Sequence, residues 1–443
     1  MSATKQILAL NRYEAGNADG FDPGLTERLA KRQATFGAAS TLFYEQPIEM
    51  VRGAGVHLYD ANGRRYLDMY NNVPSVGHCH PEVVSAIAAQ AAMLNVNTRY
   101  LNRVVENYAG QLLSMFPAPL ANLVMTCTGS ESNDLAMRIA TAVTGKRGFI
   151  ATRSAYHGNT AAVTAVSPSS FSSAPVAPHV RLVPPPDEAA APGGDVAAYF
   201  AANVQEAINS LNEASIGFAG LIVDTIFSSD GIFADPPGFL QKTLDVVHEA
   251  GGLFIADEVQ PGFGRTGELW GFSRHGIVPD IVTLGKPMGN GFPMSGLVTH
   301  PDYLAQFCRD TGYFNTFGGN PVAAAAGAAV LDVIEDERLI ENAAQVGGFL
   351  RQELLGLRGE FPQIGGVRGA GLFIGLDFND PETGAPDTPM ASHVINAMKQ
   401  SGILIGAAGL YGNTLKIRPP LCFTSAHATF FLETLWRILN EGA

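Results

Sequence analysis

The sequence has few cysteines, and they stand far apart. Cys79, Cys127, Cys308 and Cys422 are the four among 443 residues, and no two of them form a C-x-x-C pair. This spacing indicates neither a zinc site nor a disulfide framework, so the reducing cytoplasm is the expected compartment. The first residues lack a charged segment that leads into a long apolar run, so we expect no secretory signal.

Basic blocks and long apolar runs are also missing. The net charge is −13, and charged residues make up 16% of the chain. A chain of this kind is not expected to bind nucleic acid or an anionic membrane surface. No apolar run is long enough to span a bilayer, so no membrane partner is expected either. An anionic ligand would have to be bound by a few placed cations and backbone N–H groups.

The chain is rich in apolar residues, at 46%, and its length is typical of two or three domains. Short apolar segments alternate with helical patterns, which predicts an α/β fold with a mostly parallel sheet covered by helices on both faces. The predicted strands are Leu123–Thr126, Gly148–Thr152, Gly220–Asp224, Gly252–Ala256, Ile281–Leu284 and Gly296–Thr299.

Flanking segments predict a second, smaller α+β domain. Residues 55–72 form a predicted hairpin that turns at Asn62 and Gly63. Residues 167–194 are rich in proline, serine and alanine and are predicted to be loop. The chain then divides into an N-terminal segment that joins the small domain (1–75), a large domain (76–330) and a C-terminal small domain (331–443).

A lysine follows one predicted strand in "IVTLGKPMGNGFPMSG". Lys286 stands directly after Ile281–Leu284, in a loop with glycines that let the backbone come close to a ligand. A buried lysine is costly unless it is paired or loses its charge, and a lysine with a lowered pKa is a nucleophile that forms Schiff bases. The alternative is a lysine that reaches solvent from the end of a strand.

Two further motifs also lie at strand ends. Asp257 ends a buried strand in "GGLFIADEVQPGFGRTG", where open α/β sheets bind ligands, although such an acid also caps turns. Gly129 and Ser130 begin a helix after another strand, which favours anion binding. The alternative is an ordinary helix start capped by Ser130 or Ser132.

Aromatic and hydroxyl groups complete the pattern. Tyr156 and His157 follow a third strand and are available to stack on a ring, or are a half-buried aromatic pair. Thr316 precedes another helix and offers a second anion contact. A phosphate nest, a ring platform, a strand-end aspartate and a strand-end lysine on one sheet suit pyridoxal phosphate, whose enzymes need a Schiff-base lysine and an aspartate for the ring nitrogen.

The motifs "DEVQPGFGRTG" and "TLGKPMGNGFP" resemble those of the class III (ω-type) aminotransferases, fold-type I enzymes that depend on pyridoxal phosphate. The resemblance runs from about residue 40 to the C-terminus and implies a fold-type I transferase with a large cofactor-binding domain. It implies that Lys286 forms the Schiff base and that Asp257 keeps the ring nitrogen protonated. Gly129 and Ser130 would hold the phosphate, with Glu131 completing a G-S-E pattern.

The resemblance also implies contacts around the ring and between subunits. Val259 would lie against one ring face, and Tyr156 or His157 against the other. Gln260 would reach the ring hydroxyl. Thr316 would reach the phosphate of the neighbouring subunit's cofactor, which implies a homodimer or a dimer of dimers with shared active sites.

The expected reaction depends on how the site holds the far end of the substrate. Members of the family that act on carboxylates usually have an arginine three residues before the "PP" of "LKIRPPLCF", where this chain has Lys416, with Arg418 two residues later. A bidentate carboxylate clamp prefers arginine. Asn71, Asn72 and Arg99 stand in "NNVPSVGHCHP" and "NTRYLN", which resemble the phospho-lyase branch.

We therefore expect a phospho-lyase that converts O-phosphoethanolamine to acetaldehyde, ammonia and phosphate. Arg99 would bind the substrate phosphate, helped by Lys416, Arg418 and Asn71 or Asn72; alternatively, Arg99 is a surface arginine and Lys416 is solvated at a strand edge.

Other functions stay open at this point. The first alternative is an aminotransferase that uses pyruvate or 2-oxoglutarate and binds carboxylate through Arg418. A cofactor-binding sensor without turnover is disfavoured by the intact pair of Asp257 and Lys286. A dinucleotide-dependent dehydrogenase is disfavoured because no G-x-G-x-x-G follows an early strand.

Overall fold

The computed structural model describes residues 9–14, 20–171 and 176–441. The helices are α1 (Pro23–Phe36), α2 (Pro81–Met93), α3 (Arg103–Leu113), α4 (Gly129–Thr144), α5 (Ala161–Ala165), α6 (Val196–Glu213), α7 (Gln241–Glu249), α8 (Gly271–Arg274), α9 (Pro301–Asp310), α10 (Pro321–Asp336), α11 (Leu339–Glu360), α12 (Thr388–Gln400) and α13 (Ser425–Glu441). The strands are β1 (Met50–Ala54), β2 (His57–Asp60), β3 (Arg65–Asp68), β4 (Asn122–Thr126), β5 (Gly148–Thr152), β6 (Val180–Val183), β7 (Phe218–Val223), β8 (Leu253–Asp257), β9 (Ile281–Leu284), β10 (Ser295–Thr299), β11 (Ile364–Ala370), β12 (Phe373–Phe378), β13 (Ile403–Leu404), β14 (Gly406–Ala408) and β15 (Thr414–Ile417).

A seven-stranded sheet forms the centre of the molecule, in the order β4-β10-β9-β8-β7-β5-β6. Strand β10 runs antiparallel to both of its neighbours, and the other pairings are parallel. The six strands predicted from the sequence are all present, and the α/β prediction is confirmed. Parallel strands bring their carboxyl ends to one edge, which is where the predicted lysine and aspartate stand.

Helices cover both faces of this sheet, as the uninterrupted apolar strands require. Side chains on one face, such as Ile150 and Phe254, share a core with Phe200 of α6. Those on the other face, such as Ile255, share a second core with Ile139 of α4. Helix α4 therefore packs on the sheet along its length while its first turn reaches the carboxyl edge.

The prediction of loop throughout residues 167–194 is wrong. Strand β6 lies within this segment and pairs in parallel with β5, with Phe149 opposite Val180. The strand is four residues long, and Val180 and Val183 are buried. Its proline- and serine-rich surroundings hide so short an apolar pattern, and the pairing with β5 supplies the stabilisation that local sequence does not.

Two smaller four-stranded sheets, β1-β2-β3-β13 and β11-β12-β15-β14, flank the central one. The predicted hairpin is confirmed, since β2 and β3 are antiparallel and Gly63 has φ +80° at the turn. Strand β13 pairs with β3, so an N-terminal and a C-terminal segment share a sheet. The domain boundaries at 76 and 331 stay predictions. Within the described ranges, no helix has the length and apolar character needed to cross a membrane.

Adjacent glycines in α11 test how this helix packs. A Cβ at Gly347 would lie 2.0 Å from the carbonyl oxygen of Gly371, whereas a Cβ at Gly348 would meet nothing within 4 Å. We expect Gly347→Ala to destabilise the protein by about 1–3 kcal/mol or more because backbone must move. Gly348→Ala should stabilise it by about 0.5–1 kcal/mol. Denaturant midpoints of the two variants measure this, and equal midpoints would contradict the packing described.

Candidate active site

Two adjoining cavities open at the carboxyl edge of the central sheet. The inner cavity has a volume of about 330 Å³, and residues on its walls include Gly129, Ser130, Tyr156, Asp257, Val259 and Lys286. The outer cavity has a volume of about 200 Å³, and residues on its walls include Leu10, Phe43, Tyr70, Lys416 and Arg418. Tyr156, Gln260 and Lys286 line both cavities. The predicted lysine therefore stands where the two cavities meet.

Lys286 begins a short 3₁₀ turn, Lys286–Gly289, directly after β9. Burial lowers the pKa of its ammonium group, and the negative charge of Asp257 opposes that shift. The backbone at Lys286 has φ +27°, a conformation that is unfavourable for a residue with a side chain. Asn290 anchors the loop, because its amide accepts from Val76 N at 3.0 Å and donates to Gly77 O at 2.8 Å.

Asp257 ends β8 and is 4% exposed. Its Oδ2 accepts hydrogen bonds from His157 Nδ1 at 2.7 Å and from Asn133 Nδ2 at 3.0 Å, while Oδ1 accepts from Val259 N at 3.1 Å. The aspartate thus caps the following turn and also lines the inner cavity. The neighbouring Glu258 is bound elsewhere, since it accepts from the backbone N–H groups that begin α8.

The first turn of α4 forms one end of the inner cavity. Thr128 is the N-cap, and its reciprocal hydrogen bonds with Glu131 form a capping box. The alternative in which Ser130 or Ser132 caps the helix is therefore wrong. Ser130 Oγ instead accepts from Asn159 N at 3.1 Å, and a Cβ at Gly129 would lie 3.0 Å from Val259. Backbone N–H groups at this helix start suit an anion.

Tyr156 and His157 occupy different positions although they are adjacent in sequence. Tyr156 is half-buried and lines both cavities. His157 is buried, and its ring is fixed by the hydrogen bond to Asp257. Both residues line the inner cavity, and Tyr156, which is the more exposed of the two, is the better candidate for stacking on a ring.

Gln260, Arg418 and Lys416 lie on the walls of the outer cavity, and Gln260 also lines the inner cavity. Gln260 donates to Ser228 Oγ and accepts from Arg418 Nη1, and Arg418 Nε donates to Tyr70 O at 2.7 Å. The Arg418 guanidinium also lies 4.5 Å from the centroid of the Tyr70 ring. Lys416 is 3% exposed, so the alternative in which it is solvated at a strand edge is wrong.

Four predicted residues lie outside the walls described for the two cavities. Arg99 and Thr316 are exposed, and the Arg99 guanidinium lies 4.2 Å from the centroid of the Phe314 ring. Asn71 donates to both carboxylate oxygens of Asp68. Asn72 is buried, and its Nδ2 has no hydrogen-bond partner among the described residues. Their roles in substrate binding stay predictions.

Several wall residues were not anticipated from the sequence. Asp224 follows β7 and lines the inner cavity, and burial raises its pKa. Its position after a buried strand is the signal that identified Asp257 and would have identified it too. Leu10 and Asn11 line the outer cavity because Tyr44 N donates to Asn11 O and Tyr13 N donates to Leu42 O. No local pattern predicts that pairing.

The inner cavity fits pyridoxal phosphate. The start of α4, where Gly129 lies close to Val259, suits the phosphate. Asp257 lines the cavity, and its Oδ1 can accept a further hydrogen bond besides that from Val259 N. Lys286 has a lowered pKa, as a Schiff-base lysine requires. The fold and this cavity define an α/β enzyme that uses pyridoxal phosphate.

The chain belongs to the aminotransferase class-III family, whose model matches residues 42–439. It is 41% identical over 414 residues to the Arabidopsis thaliana mitochondrial alanine–glyoxylate aminotransferase 2 homolog 2, covering 92% of this chain and 86% of the relative. It is 37% identical over 442 residues to the Caenorhabditis elegans ethanolamine-phosphate phospho-lyase homolog 1, covering 94% and 93%. A solved Arthrobacter phospholyase in complex with phosphoethanolamine is 42% identical, with a TM-score of 0.90, covering 93% and 99%.

The lowered pKa of Lys286 predicts the pH dependence of its reactivity. We expect the apoprotein's Lys286 to form a borohydride-reducible adduct with propionaldehyde at lower pH than the exposed Lys242, because the neutral amine persists to lower pH. Asp257→Asn should move the midpoint lower still, since the carboxylate raises this pKa. Peptide mass spectrometry over a pH series gives both midpoints. A Lys286 midpoint equal to that of Lys242 would contradict the electrostatics.

Proposed function

We propose that this enzyme is a phospho-lyase that acts on a small phosphorylated amine, with O-phosphoethanolamine as the substrate. With one water molecule, the products are acetaldehyde, ammonia and phosphate. The similarity to the Arthrobacter phospholyase, described in complex with phosphoethanolamine, supports this choice.

The observation that carries the proposal is the position of Lys416. Its ammonium group is buried on the wall of the outer cavity, and within the described ranges it forms no hydrogen bond or ion pair. Burial lowers its pKa well below the ordinary value, and Arg418 acts in the same direction. A dianionic phosphate in the outer cavity would satisfy this cation and keep it charged.

Arg418 supports the same conclusion, because its guanidinium is already engaged. Its Nε donates to Tyr70 O and its Nη1 donates to Gln260 Oε1, so a bidentate carboxylate would have to compete with these two partners. A lysine without a partner binds phosphate as a point charge. We therefore assign the phosphate of the substrate to Lys416 in the outer cavity and its amine to the side facing Lys286.

The inner cavity would hold the cofactor through residues of four elements. Gly129 and Ser130 would bind its phosphate at the start of α4, and Asp257 would accept the ring N–H. Val259 and Tyr156 would lie against the two ring faces. His157 would hold Asp257 in place through the hydrogen bond from Nδ1 to Oδ2, and Gln260 would reach the ring hydroxyl.

Pyridoxal phosphate, when bound, supplies an aldehyde for the substrate amine and a ring that accepts electrons. Lys286, freed as an amine with a lowered pKa, removes the proton from the carbon next to nitrogen. Lys416 then stabilises the charge that builds on the departing phosphate. The buried walls around both lysines exclude water from the proton transfer.

We further propose that the enzyme is at least a homodimer with shared sites. Leu101, Met93 and Phe317 are 96%, 79% and 70% exposed and lie in the segments that hold Arg99 and Thr316. Exposed apolar side chains in such number mark an interaction surface. A second copy docked there would place Arg99 toward the partner's outer cavity and Thr316 toward the partner's cofactor phosphate.

The second candidate is an aminotransferase, which the 41% identity to the Arabidopsis alanine–glyoxylate aminotransferase 2 homolog favours. Such an enzyme would transfer the amino group of an amine or amino acid to pyruvate or 2-oxoglutarate. Its carboxylate substrate would have to displace Gln260 from Arg418 or bind Lys416.

The lyase reaction can be tested with the purified holoenzyme, O-phosphoethanolamine and no keto acid. We expect phosphate and acetaldehyde to be released in equal amounts over many turnovers, and Lys286→Ala to lower the rate at least about a hundredfold. Lys416→Met should raise KM and lower kcat, because Lys416 would bind the substrate phosphate and stabilise it as it departs, while Lys416→Arg retains the charge and should keep part of the activity. Amine transfer to added pyruvate without phosphate release would contradict the lyase and favour the aminotransferase.

Shared sites can be tested by mixing two inactive subunits. Lys286→Ala and Arg99→Ala homodimers should each have little activity. Mixed dimers should regain one complete site, with Lys286 from one subunit and Arg99 from the other, so a one-to-one coexpression should restore about one quarter of wild-type activity. If the coexpressed mixture is as inactive as either homodimer, Arg99 does not act across a subunit boundary.

A further inference from the structure

We propose that Asn133 is the positioning residue of this active site, which fixes the ionised carboxylate of Asp257 against the cofactor ring. The inference rests on the proposed role of Asp257 as the partner of the ring nitrogen. Asn133 lies on α4, one turn after Gly129, and is fully buried. It therefore belongs to the same helix whose first turn faces the phosphate end of the cavity.

The hydrogen bonds of Asn133 leave its amide one orientation. Thr283 Oγ1 donates to Asn133 Oδ1 at 2.7 Å. Asn133 Nδ2 donates to the backbone oxygen of His157 at 2.7 Å and to Asp257 Oδ2 at 3.0 Å. The amide thus uses its oxygen and both N–H groups, and a flipped amide would place its oxygen against two acceptors.

These partners join four elements around the inner cavity. Thr283 pairs with Asp257 across β9 and β8 and stands three residues before Lys286. His157 follows Tyr156 in the loop after β5. One side chain therefore connects the phosphate-facing helix, the aspartate strand, the lysine strand and the ring-stacking loop. A shift of any of them changes where the carboxylate points.

His157 is the second side-chain donor to Asp257 Oδ2, and as a neutral ring it does not neutralise the negative charge of the carboxylate. His157 Nε2 is buried and has no hydrogen-bond partner in the described part of the chain. A neutral imidazole with its proton on Nδ1 leaves only a lone pair unsatisfied there, whereas an imidazolium would leave an N–H unsatisfied. Asp257 Oδ2 thus receives two neutral donors, and the full negative charge remains for the ring nitrogen.

The test compares Asn133→Leu, a substitution of similar size that removes the amide, with Ser132→Ala. Ser132 is the adjacent buried residue on α4, and its hydroxyl bonds Thr126 and Ser295 rather than Asp257. We expect Asn133→Leu to weaken pyridoxal phosphate binding to the apoprotein by about tenfold or more, since a hydrogen bond to a charged group is lost. Ser132→Ala should bind the cofactor as the wild type does.

A nitrogen-15 NMR spectrum of enzyme loaded with ring-labelled pyridoxal phosphate gives a second readout. Without the Asn133 donor, Asp257 Oδ2 loses one of its two hydrogen bonds and the carboxylate is no longer fixed in one orientation, so the ring nitrogen should shift from its protonated toward its neutral position. Wild-type affinity and a fully protonated nitrogen in Asn133→Leu, with an unchanged apoprotein melting temperature, would overturn the inference. If Asp257→Asn also leaves binding and the spectrum unchanged, the proposed role of Asp257 fails instead.

Discussion

The structure depends on placing one carboxylate and one amine in a buried space at the ends of neighbouring strands. Asp257 ends β8, and Lys286 follows β9, which pairs with it in parallel. Neither charge is stable there alone, because burial disfavours the ionised form of each. The carboxylate accepts hydrogen bonds from His157 and Asn133, whereas burial destabilises the ammonium form of Lys286 and the negative charge of Asp257 partly offsets that effect. We propose that this imbalance makes the lysine reactive.

The two cavities differ in the groups on their walls. The inner cavity contains the groups that suit the cofactor, and these match the chemistry shared by the class-III family. We propose that the outer cavity contacts the rest of the substrate, with Lys416 and Arg418 on its walls. Under this proposal, a substitution at Lys416 changes the substrate contacts, whereas a substitution at Tyr156, Gln260 or Lys286 affects both cavities. Under this proposal, the way in which the outer cavity holds the substrate decides between elimination and transamination.

The strand ends could be predicted because they depend on local patterns. The apolar runs that precede Asp257 and Lys286 are β8 and β9 of the structure. The end of such a run marks the sheet edge, where functional side chains can be predicted. The hydrogen bonds that position the side chains depend on distant segments instead. Asn133 meets Asp257 across 124 residues, and no periodicity in α4 shows which of its buried polar residues faces the sheet.

Other features were hidden for related reasons. Thr128 caps α4, and its backbone is extended at that position. The sequence does not reveal this, because Thr128, Ser130 and Ser132 each carry a hydroxyl group that could cap the helix. Strand β6 is too short to show a pattern. Leu10 and Asn11 reach the outer cavity where Asn11 and Tyr13 pair with Tyr44 and Leu42, which are distant in sequence. Residues 15–19 and 172–175 lie outside the described ranges.

The most direct test of the account is a competition between the two fates of one substrate. The holoenzyme would be given O-phosphoethanolamine together with saturating pyruvate, and released phosphate and newly formed alanine would be measured in the same samples. We predict that phosphate release far exceeds alanine formation. Lys416 stabilises the departing phosphate, which makes elimination faster than transfer of the amino group. Alanine formation that accounts for the substrate consumed, with no phosphate released, would contradict the account.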